Sequence, residues 1–506
     1  MVSFFMGVNI GTDKVSAVVV DEDLVDVSVC ETPLSIEYPA QGWAEQDPRE
    51  YWRAFEEVVK CVVNKGRVDP SEIKAISVSA QMMGIVLVDK SGNALSNAII
   101  WLDGRALEES EEVVNAIGAK KLIDRLGGVP TPKDVLPKIL WLKRNRPSIY
   151  SRAHKIIGIK DYVVFKLTGR YVTDYSCASV TGLLDLNDLK WSQLVIDVFD
   201  LDADKYPEIA WSAEPVGYLI PEVASRLGLS RDTLIINGCG DVVSVTLASG
   251  STRIGEVHLH LGPSAWVGVI SDVRYSAPEH GMGSVAFIEP GKWLFVAENE
   301  VAGLALKWLL EGLLGAMSYH QGAGNLEDLL EKSINTTPPG SEGLLFIPWL
   351  YGERSPVPET RLRGVLMNIS LTHKLEHVIK AILEGVSFNL KYTLDLFENI
   401  ARIELRKVPI LGEYAQFNSF CHLLSDVLSK PLVRVYKPEQ SYARGAAILA
   451  MIGSNAIGNV HELKKRVKFE CVFKPRSEKV RAYREIYATL RELVPGLIEV
   501  YRSLSP

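Results

Sequence analysis

The amino-acid sequence predicts an α/β protein built from two structurally related domains. One observation behind this prediction is a strand–turn–strand unit at the start of the chain that recurs about half a chain later. A weak repeat with one copy in each half is typical of two related domains that face each other. The second observation is an alternation of strand-like and helical segments, which indicates sheets covered by helices.

The two repeated units span residues 5–20 and 256–270, with turns at Gly11-Thr12 and at Gly262-Pro263-Ser264. Glycine permits close approach of a ligand, and hydroxyl and backbone N–H groups can donate hydrogen bonds to phosphate. Both turns are therefore candidate phosphate sites, although ordinary hairpin turns are far commoner.

The elements between and after these units follow in chain order. Strand-like segments cover 73–79, 84–88 and 235–240, and helical periodicity covers 49–63, 242–248 and 375–399. The amphipathic run Pro475–Leu504 predicts a terminal helix. The Gly, Ser and Thr residues of 249–255 predict the domain boundary, with domains over 1–248 and 249–506.

The composition favours a small-molecule partner. A formal net charge of −7 argues against nucleic acid or an anionic membrane surface as the main partner. The apolar stretch 301–317 contains Lys307 and Glu311, which predicts a buried helix and not a membrane span. The six cysteines form no CxxC pair and the N-terminus has no signal-peptide pattern, so we expect reduced thiols in a cytoplasmic protein.

Asp241 is the first candidate for chemistry, because it follows an apolar strand through Asn237-Gly238-Cys239-Gly240. Ligands bind at the carboxyl ends of strands in open α/β sheets, and a carboxylate there could accept a proton from a substrate hydroxyl. The alternative is an N-cap for the helix at 242–248, since Asp is a favoured N-cap residue. The spacing alone favours the cap.

Two shorter motifs, Gln81-Met82-Met83-Gly84 and Trp101-Leu102-Asp103-Gly104-Arg105, lie at the ends of apolar strands. Gln81 could bond a polyol, and Asp103 could bind sugar hydroxyls. The alternatives are a β-turn with a core methionine and a simple pair between Asp103 and Arg105. Each motif is weak by itself.

A series of longer motifs, in matching order along the chain, resembles the FGGY family of carbohydrate kinases, and the xylulokinases most closely. These motifs are Gly42–Pro48, Lys138–Asn145, Asp161-Tyr162, Leu167–Gly169, Thr173–Ser179, Pro348–Pro356, His377–Gly385 and Ala443–Ala450. The resemblance runs from about Gly7 to about Gly453.

The resemblance implies two ribonuclease-H-like domains, the superfold shared with actin and hexokinase, with the active site in a central cleft. It implies ATP and Mg²⁺ as cofactors and phosphorylation of a hydroxyl on a ketose or polyol. We also expect a cytoplasmic protein that can form a homodimer. Asp241 stands where the family has its catalytic base, which reverses the preference for a cap. The implied sugar-site residues are Gln81, Met82, Met83, Trp101 and Asp103, and the implied nucleotide-site residues are Gly11, Thr12, Gly262, Ser264, Gly412, Glu413 and Gln416.

Six departures from the family pattern touch the same sites. Asn9 stands where an Asp usually helps to hold Mg²⁺, Pro263 removes a donor from the phosphate turn, and Glu413-Tyr414 replace glycines of the adenosine loop, where their side chains would crowd the nucleotide. Three changes make the sugar site less polar: Met83 for the usual His, and Leu102 and Val242 for two usual Asn residues. These departures motivate an alternative function, a non-catalytic homologue that binds a sugar or a protein partner.

Overall fold

Two large mixed sheets, one in each half of the chain, organise the fold of this computed structural model, which describes residues 3–314 and 323–504. The strands of the first half are β1 (Phe4–Ile10), β2 (Lys14–Asp21), β3 (Asp26–Pro33), β4 (Glu45–Gln46), β5 (Ile73–Ala80), β6 (Val86–Val88), β7 (Ala98–Ile99), β8 (Lys155–Ile157), β9 (Val172–Asp174), β10 (Leu184–Asp185), β11 (Lys190–Trp191), β12 (Glu208–Ala210), β13 (Pro215–Tyr218) and β14 (Leu234–Gly240). Those of the second half are β15 (Val257–Leu261), β16 (Ala265–Ser271), β17 (Met282–Ala286), β18 (Trp293–Asn299), β19 (Leu345–Ile347), β20 (Val365–Met367), β21 (Val408–Leu411), β22 (Leu432–Val435) and β23 (Phe469–Phe473).

The two sheets share a central arrangement, an antiparallel hairpin whose first strand also pairs with parallel strands. In the first, of order β13-β14-β5-β1-β2-β3, an antiparallel meander β1–β2–β3 is followed across β1 by the parallel strands β5 and β14 and an antiparallel edge strand. In the second, of order β17-β18-β16-β15-β21-β22-β23, β15 likewise lies between an antiparallel partner, β16, and the parallel strands β21 and β22, while β16 pairs with β18 and β18 with β17. This is the ribonuclease-H-like arrangement, so the predicted fold and both predicted hairpins are confirmed. The boundary at 248/249 stays a prediction.

Helices cover both sheets, as the alternation of segments predicts. They are α1 (Pro48–Gly66), α2 (Leu107–Ile117), α3 (Ala119–Lys121), α4 (Val135–Asn145), α5 (Pro147–Arg152), α6 (Ile159–Thr168), α7 (Tyr175–Ser179), α8 (Gln193–Val198), α9 (Pro221–Leu227), α10 (Asp241–Ala248), α11 (Gly303–Lys307), α12 (Ala323–Thr336), α13 (Leu375–Ala401), α14 (Asn418–Leu428), α15 (Ser441–Gly453), α16 (Leu463–Arg466) and α17 (Ser477–Leu504). The predicted terminal helix is α17.

Helix α15, from the second half of the chain, packs on the first sheet and on α10. The contact depends on glycines: a Cβ atom at Gly7 in β1 would lie 1.9 Å from the carbonyl oxygen of Ala443, and one at Gly445 would lie 1.8 Å from that of Ser244. The absence of side chains at these positions therefore lets the two halves of the molecule interlock directly behind the cleft.

The cysteines differ in part from what the sequence predicts. Cys30 in β3 and Cys61 in α1 form a disulfide with Cα atoms 6.1 Å apart, so the expectation of reduced thiols throughout is wrong for this pair. Strand β3 packs on α1, a contact that the spacing of the two residues in sequence could not reveal.

The apolar helix predicted over 301–317 begins as α11, but residues 315–317 lie outside the described residues. Among the helices that the structure describes, none is long and apolar enough to cross a membrane.

Candidate active site

Asp241 lies at the point where β14 ends and α10 begins. The strand is redirected by a bulge at Gly238, whose φ of +86° favours glycine and whose Cβ would lie 1.9 Å from the Val78 carbonyl oxygen. The N-cap of α10 is Gly240, so Asp241 is the first helical residue and does not occupy the cap position. Its Oδ1 atom accepts a hydrogen bond from the Val242 N–H at 2.9 Å.

The electrostatic surroundings of Asp241 involve both halves of the chain. Burial and the nearby carboxylate of Glu298, in β18 of the second sheet, raise the pKa of Asp241 to about 7. A base with a pKa near the working pH combines a useful deprotonated fraction with proton affinity. The arrangement therefore suits a proton acceptor at neutral pH.

Charged residues on the side of the cleft opposite Asp241 form a network of ion pairs. Arg354 forms ion pairs with Glu298 and with Glu300, the latter at 3.0 Å, and Lys133 from the first half pairs with Glu300 at 3.2 Å. The Arg354 guanidinium lies 5.8 Å from the ring centroid of Trp101. Sequence reasoning missed Lys133, Glu298 and Glu300, because nothing in the local pattern links residues that meet only across the cleft.

One hydrogen-bond network joins four of the predicted site residues. The Thr12 hydroxyl donates to Gln81 Oε1 at 3.2 Å and accepts from Trp101 Nε1 at 2.9 Å, while Gln81 Nε2 donates to the Gly11 carbonyl at 3.0 Å. Gln81 Nε2 also donates to Gln46 Oε1 at 2.8 Å. The side chains of Gln81 and Trp101 thereby fix the first turn against the body of the domain.

The remaining predicted sugar-site residues take different positions. Met82 covers the end of β14, since a Cβ atom at Gly240 would lie 2.4 Å from the Met82 sulfur. Met83 has a left-handed φ of +61°, and its carbonyl accepts from Lys138 Nζ at 3.2 Å. Asp103 is fully buried, and its carboxylate accepts bonds from the Arg105 side chain and the Ala44 N–H. The pair with Arg105, the alternative for Asp103, is thus the arrangement observed.

The second turn is tightly closed on itself. The Gly262 N–H donates to the Ser264 carbonyl at 2.9 Å, and the carbonyls of Gly262 and Pro263 accept from the N–H groups of Gly303 and Leu304 at the start of α11. The first turn is similar, with the Gly11 N–H donating to the Lys14 carbonyl at 2.9 Å. The N–H groups of Gly11 and Gly262 are therefore both used within the turns, and a bound phosphate would need other hydrogen-bond donors.

The loop Gly412–Gln416, here named the adenosine-type loop, lies directly beside both turns. Gly412 has φ +99° and sits so close to β15 that a Cβ atom would lie 2.5 Å from the Leu261 carbonyl oxygen. Glu413 reaches across to Lys14, next to the first turn, at 3.3 Å. The Tyr414 ring points the other way, into the core, where it fills the space against Gly303. Gln416 is exposed on this loop.

Among the described residues, the contact between the first turn and the loop of Glu413 offers one cation to an anionic ligand and no carboxylate cluster to a metal ion. The ammonium group of Lys14 lies where the first turn meets the loop of Glu413, whereas the Thr12 hydroxyl bonds to Gln81 and Trp101 and the Ser264 side chain hydrogen-bonds to Glu298. By contrast, the Asn9 amide oxygen accepts a bond from the Ser79 hydroxyl at 2.9 Å, and residues 3–314 and 323–504 contain no group of three or more His, Cys, Asp or Glu side chains that could hold a metal. Mg²⁺ carried mainly by nucleotide phosphates remains compatible with these residues.

The comparisons with known proteins establish the class of this protein. Residues 4–248 match the N-terminal domain of the FGGY family of carbohydrate kinases, and residues 258–454 match its C-terminal domain. The chain therefore belongs to the FGGY family, and it is a carbohydrate kinase.

Relatives with several substrates resemble the chain over nearly its full length. A xylulose kinase of Lactococcus lactis is 28% identical over 99% of this chain and 98% of its own. The crystal structure of a gluconate kinase from Lactobacillus acidophilus superposes with a TM-score of 0.89 at 25% identity, covering 100% of both chains. That of a Plasmodium falciparum glycerol kinase with ADP gives a TM-score of 0.83 at 22% identity, covering 97% and 98%. The comparisons give no support to the non-catalytic alternative.

The substitution Asn9→Asp is expected to tighten binding of Mg²⁺-ATP several-fold or to raise activity, because a carboxylate attracts the metal and a neutral amide does not. Calorimetric titration of both proteins with ATP in the presence of Mg²⁺ measures the change. The same titrations with EDTA are the control, since the gain should vanish without metal. Equal or weaker binding by Asn9→Asp would mean that the metal is held by other groups.

The pH dependence of kcat/KM should show an acid limb near pH 7. A general base at Asp241 would be protonated below its raised pKa and could not then accept a proton, so activity should fall as the pH drops through that value. Glu298→Gln should move the limb to lower pH, since it removes the charge that helps to raise the pKa. Glu300→Gln is the matched control on the same wall. A limb at the same pH in wild type and Glu298→Gln would refute the assignment.

Proposed function

We propose that the protein transfers the γ-phosphoryl group of ATP to a hydroxyl of a ketose or polyol, with Asp241 as the general base. The observation that carries this proposal is the position of Asp241 at the end of β14, beside Glu298, with a pKa of about 7. Asp241 accepts the hydroxyl proton, the sugar oxygen attacks the γ-phosphorus in line, and ADP leaves. Bound Mg²⁺ would neutralise charge on the phosphates.

The remaining cleft residues have supporting roles in this proposal. The network of Thr12, Gln81 and Trp101 holds the first turn in place, and the ion pairs of Arg354 hold Glu298 near the base. Closure of the two domains would exclude water, so that ATP is not simply hydrolysed. Location in the cytoplasm, a sugar as the small-molecule partner and assembly as a homodimer are expectations that accompany this proposal.

The sugar pocket has an apolar side. Met82 and Met83 line a cavity of about 50 Å³ together with the apolar side chains of Ile85, Ile139 and Ile159, and Lys160, Asp161 and Thr173 also line it. The apolar part of this cavity has room for a small apolar substituent and offers no hydrogen-bond partner to a hydroxyl group. Contact with these apolar side chains would favour a substrate that lacks one hydroxyl over a fully hydroxylated ketose.

We therefore expect weak discrimination among sugars, or a preference for a deoxygenated substrate. Apolar contacts discriminate weakly, whereas a site that hydrogen-bonds a hydroxyl rejects analogues lacking it by large factors. Values of kcat/KM for D-xylulose, its deoxy analogues and several polyols test this expectation. Met83→His should raise the preference for D-xylulose. A wild-type preference for D-xylulose of about 1,000-fold or more would contradict the expectation.

The activity itself is tested by incubating the protein with ATP, Mg²⁺ and a panel of ketoses and polyols, with sugar acids and amino sugars included for comparison. The proposal requires a phosphorylated sugar among the products. Phosphorylation of an acid or an amine but of no ketose or polyol would leave the family intact and reject this substrate class.

A further inference from the structure

Lys14 is placed where the two halves of the molecule meet at the nucleotide side of the cleft. It is the first residue of β2, directly after the turn Gly11-Thr12-Asp13. Its ammonium group lies 3.1 Å from Glu31 Oε2 in β3 and 3.3 Å from Glu413 Oε1. The contact with Glu413 therefore links a phosphate-type turn of the first half to the adenosine-type loop of the second.

The charge of this lysine is well maintained. Burial alone would lower the pKa of Lys14, but Glu413 and Glu31 outweigh that effect and raise the pKa above its usual value. The lysine side chain is 34% exposed and the Glu413 side chain 42% exposed, so both groups can exchange partners with a ligand in the cleft. An ion pair between two partly exposed side chains contributes little to stability, so its loss on ligand binding costs little.

The other groups where the first turn meets the adenosine-type loop supply little positive charge to a ligand. The glycine amides of both turns are bonded within the turns, Pro263 has no N–H, and Asn9 lacks the charge that would draw a metal. A polyphosphate bound here needs compensating charge and donors, and a lysine ammonium supplies both.

We propose that Lys14 binds the polyphosphate of the donor nucleotide and that the carboxylate of Glu413 competes with that polyphosphate for the same ammonium group. The inference rests on the proposed function, because it assigns a residue to the nucleotide site. Glu413 acts as an internal anion that occupies Lys14 when the site is empty. Nucleotide binding releases Glu413 and with it the contact between the turn and the loop.

The test is calorimetric titration of the full-length protein with ATP, tripolyphosphate and adenosine. Lys14→Met should weaken binding of ATP and of tripolyphosphate about tenfold or more, since a charge-assisted bond is lost, and should leave adenosine binding unchanged. Lys14→Arg, which keeps the charge, should retain most of the affinity. Glu413→Gln should tighten ATP and tripolyphosphate about two- to fivefold, because the competitor is removed.

The double variant Lys14→Met/Glu413→Gln tests whether the effect of Glu413 on nucleotide affinity depends on Lys14. Without Lys14 there is no competition, so adding Glu413→Gln to Lys14→Met should change the affinity by less than about twofold. A purely structural ion pair would instead give changes of the same sign for both single variants, and that result would overturn the inference. Wild-type-like ATP affinity in Lys14→Met, with sugar phosphorylation intact, would overturn this inference alone. Failure of the wild type to bind ATP and tripolyphosphate would overturn the proposed function as well.

Discussion

Replacement of Asp241 by Ala is expected to lower kcat by at least about 100-fold, the lower end of the range for a residue in general acid–base catalysis. The expectation follows from its place at the end of β14 and from a pKa raised to about 7 by burial and by Glu298. Steady-state kinetics with ATP and the best substrate of the panel give the measurement.

Two comparisons make the Asp241 result interpretable. Asp241→Asn keeps the shape of the side chain and should lose activity to a similar extent, because the amide cannot accept the proton. Asp13→Asn, on the exposed part of the first turn, is the control for general loss of charge in the cleft. Turnover within about threefold of wild type in Asp241→Ala would remove this residue from the mechanism.

Replacement of Lys160 by Met is expected to destabilise the protein by about 3–5 kcal/mol, because removing one member of a buried ion pair leaves the others uncompensated. Lys160 in α6 is 1% exposed, and its ammonium lies 2.9 Å from Asp161 Oδ1 and 3.6 Å from Asp174 Oδ1. It also donates to the Asn237 carbonyl at 3.0 Å. The two carboxylates keep the pKa of Lys160 above its usual value in spite of burial.

The same cluster also positions the end of β14, next to the proposed base Asp241. Asp174 accepts a bond from the Ser176 hydroxyl, and that hydroxyl in turn accepts from the Gly240 N–H at 3.0 Å, one residue before Asp241. Urea denaturation of wild type and Lys160→Met measures the loss of stability. Lys166→Met is the matched control, since it is the same substitution on the same helix at a less buried position. A loss below about 1 kcal/mol would show that the cluster relaxes when the cation is removed.

The parts of the fold that could be predicted from the sequence are those encoded locally. The alternation of apolar residues and the glycine turns predict the hairpins β1–β2 and β15–β16, and the strand that ends at Gly240 places Asp241 correctly. The resemblance to the family supplied the superfold, because its motifs recur in order along most of the chain.

What could not be predicted depends on contacts between distant residues. Thr12 bonds to Gln81 and Trp101, which are 69 and 89 residues away, and the role of Gln81 as a brace for the turn follows only from that geometry. Lys133 and Glu298 meet the site from separate segments without any local pattern. The opposite orientations of Glu413 and Tyr414 were hidden as well: the two were expected to crowd the nucleotide together, yet one contacts Lys14 and the other fills the core.

The central claim, ATP-dependent phosphorylation of a ketose or polyol with Asp241 as base, is tested most directly by the stoichiometry of the products. The measurement follows ADP and phosphorylated sugar together, for wild type and Asp241→Asn, with and without each sugar of the panel. The account predicts one sugar phosphate for each ADP in the wild type, little ADP without sugar, and loss of both products in Asp241→Asn. ADP formation that is independent of every sugar, or that persists in Asp241→Asn, would contradict it.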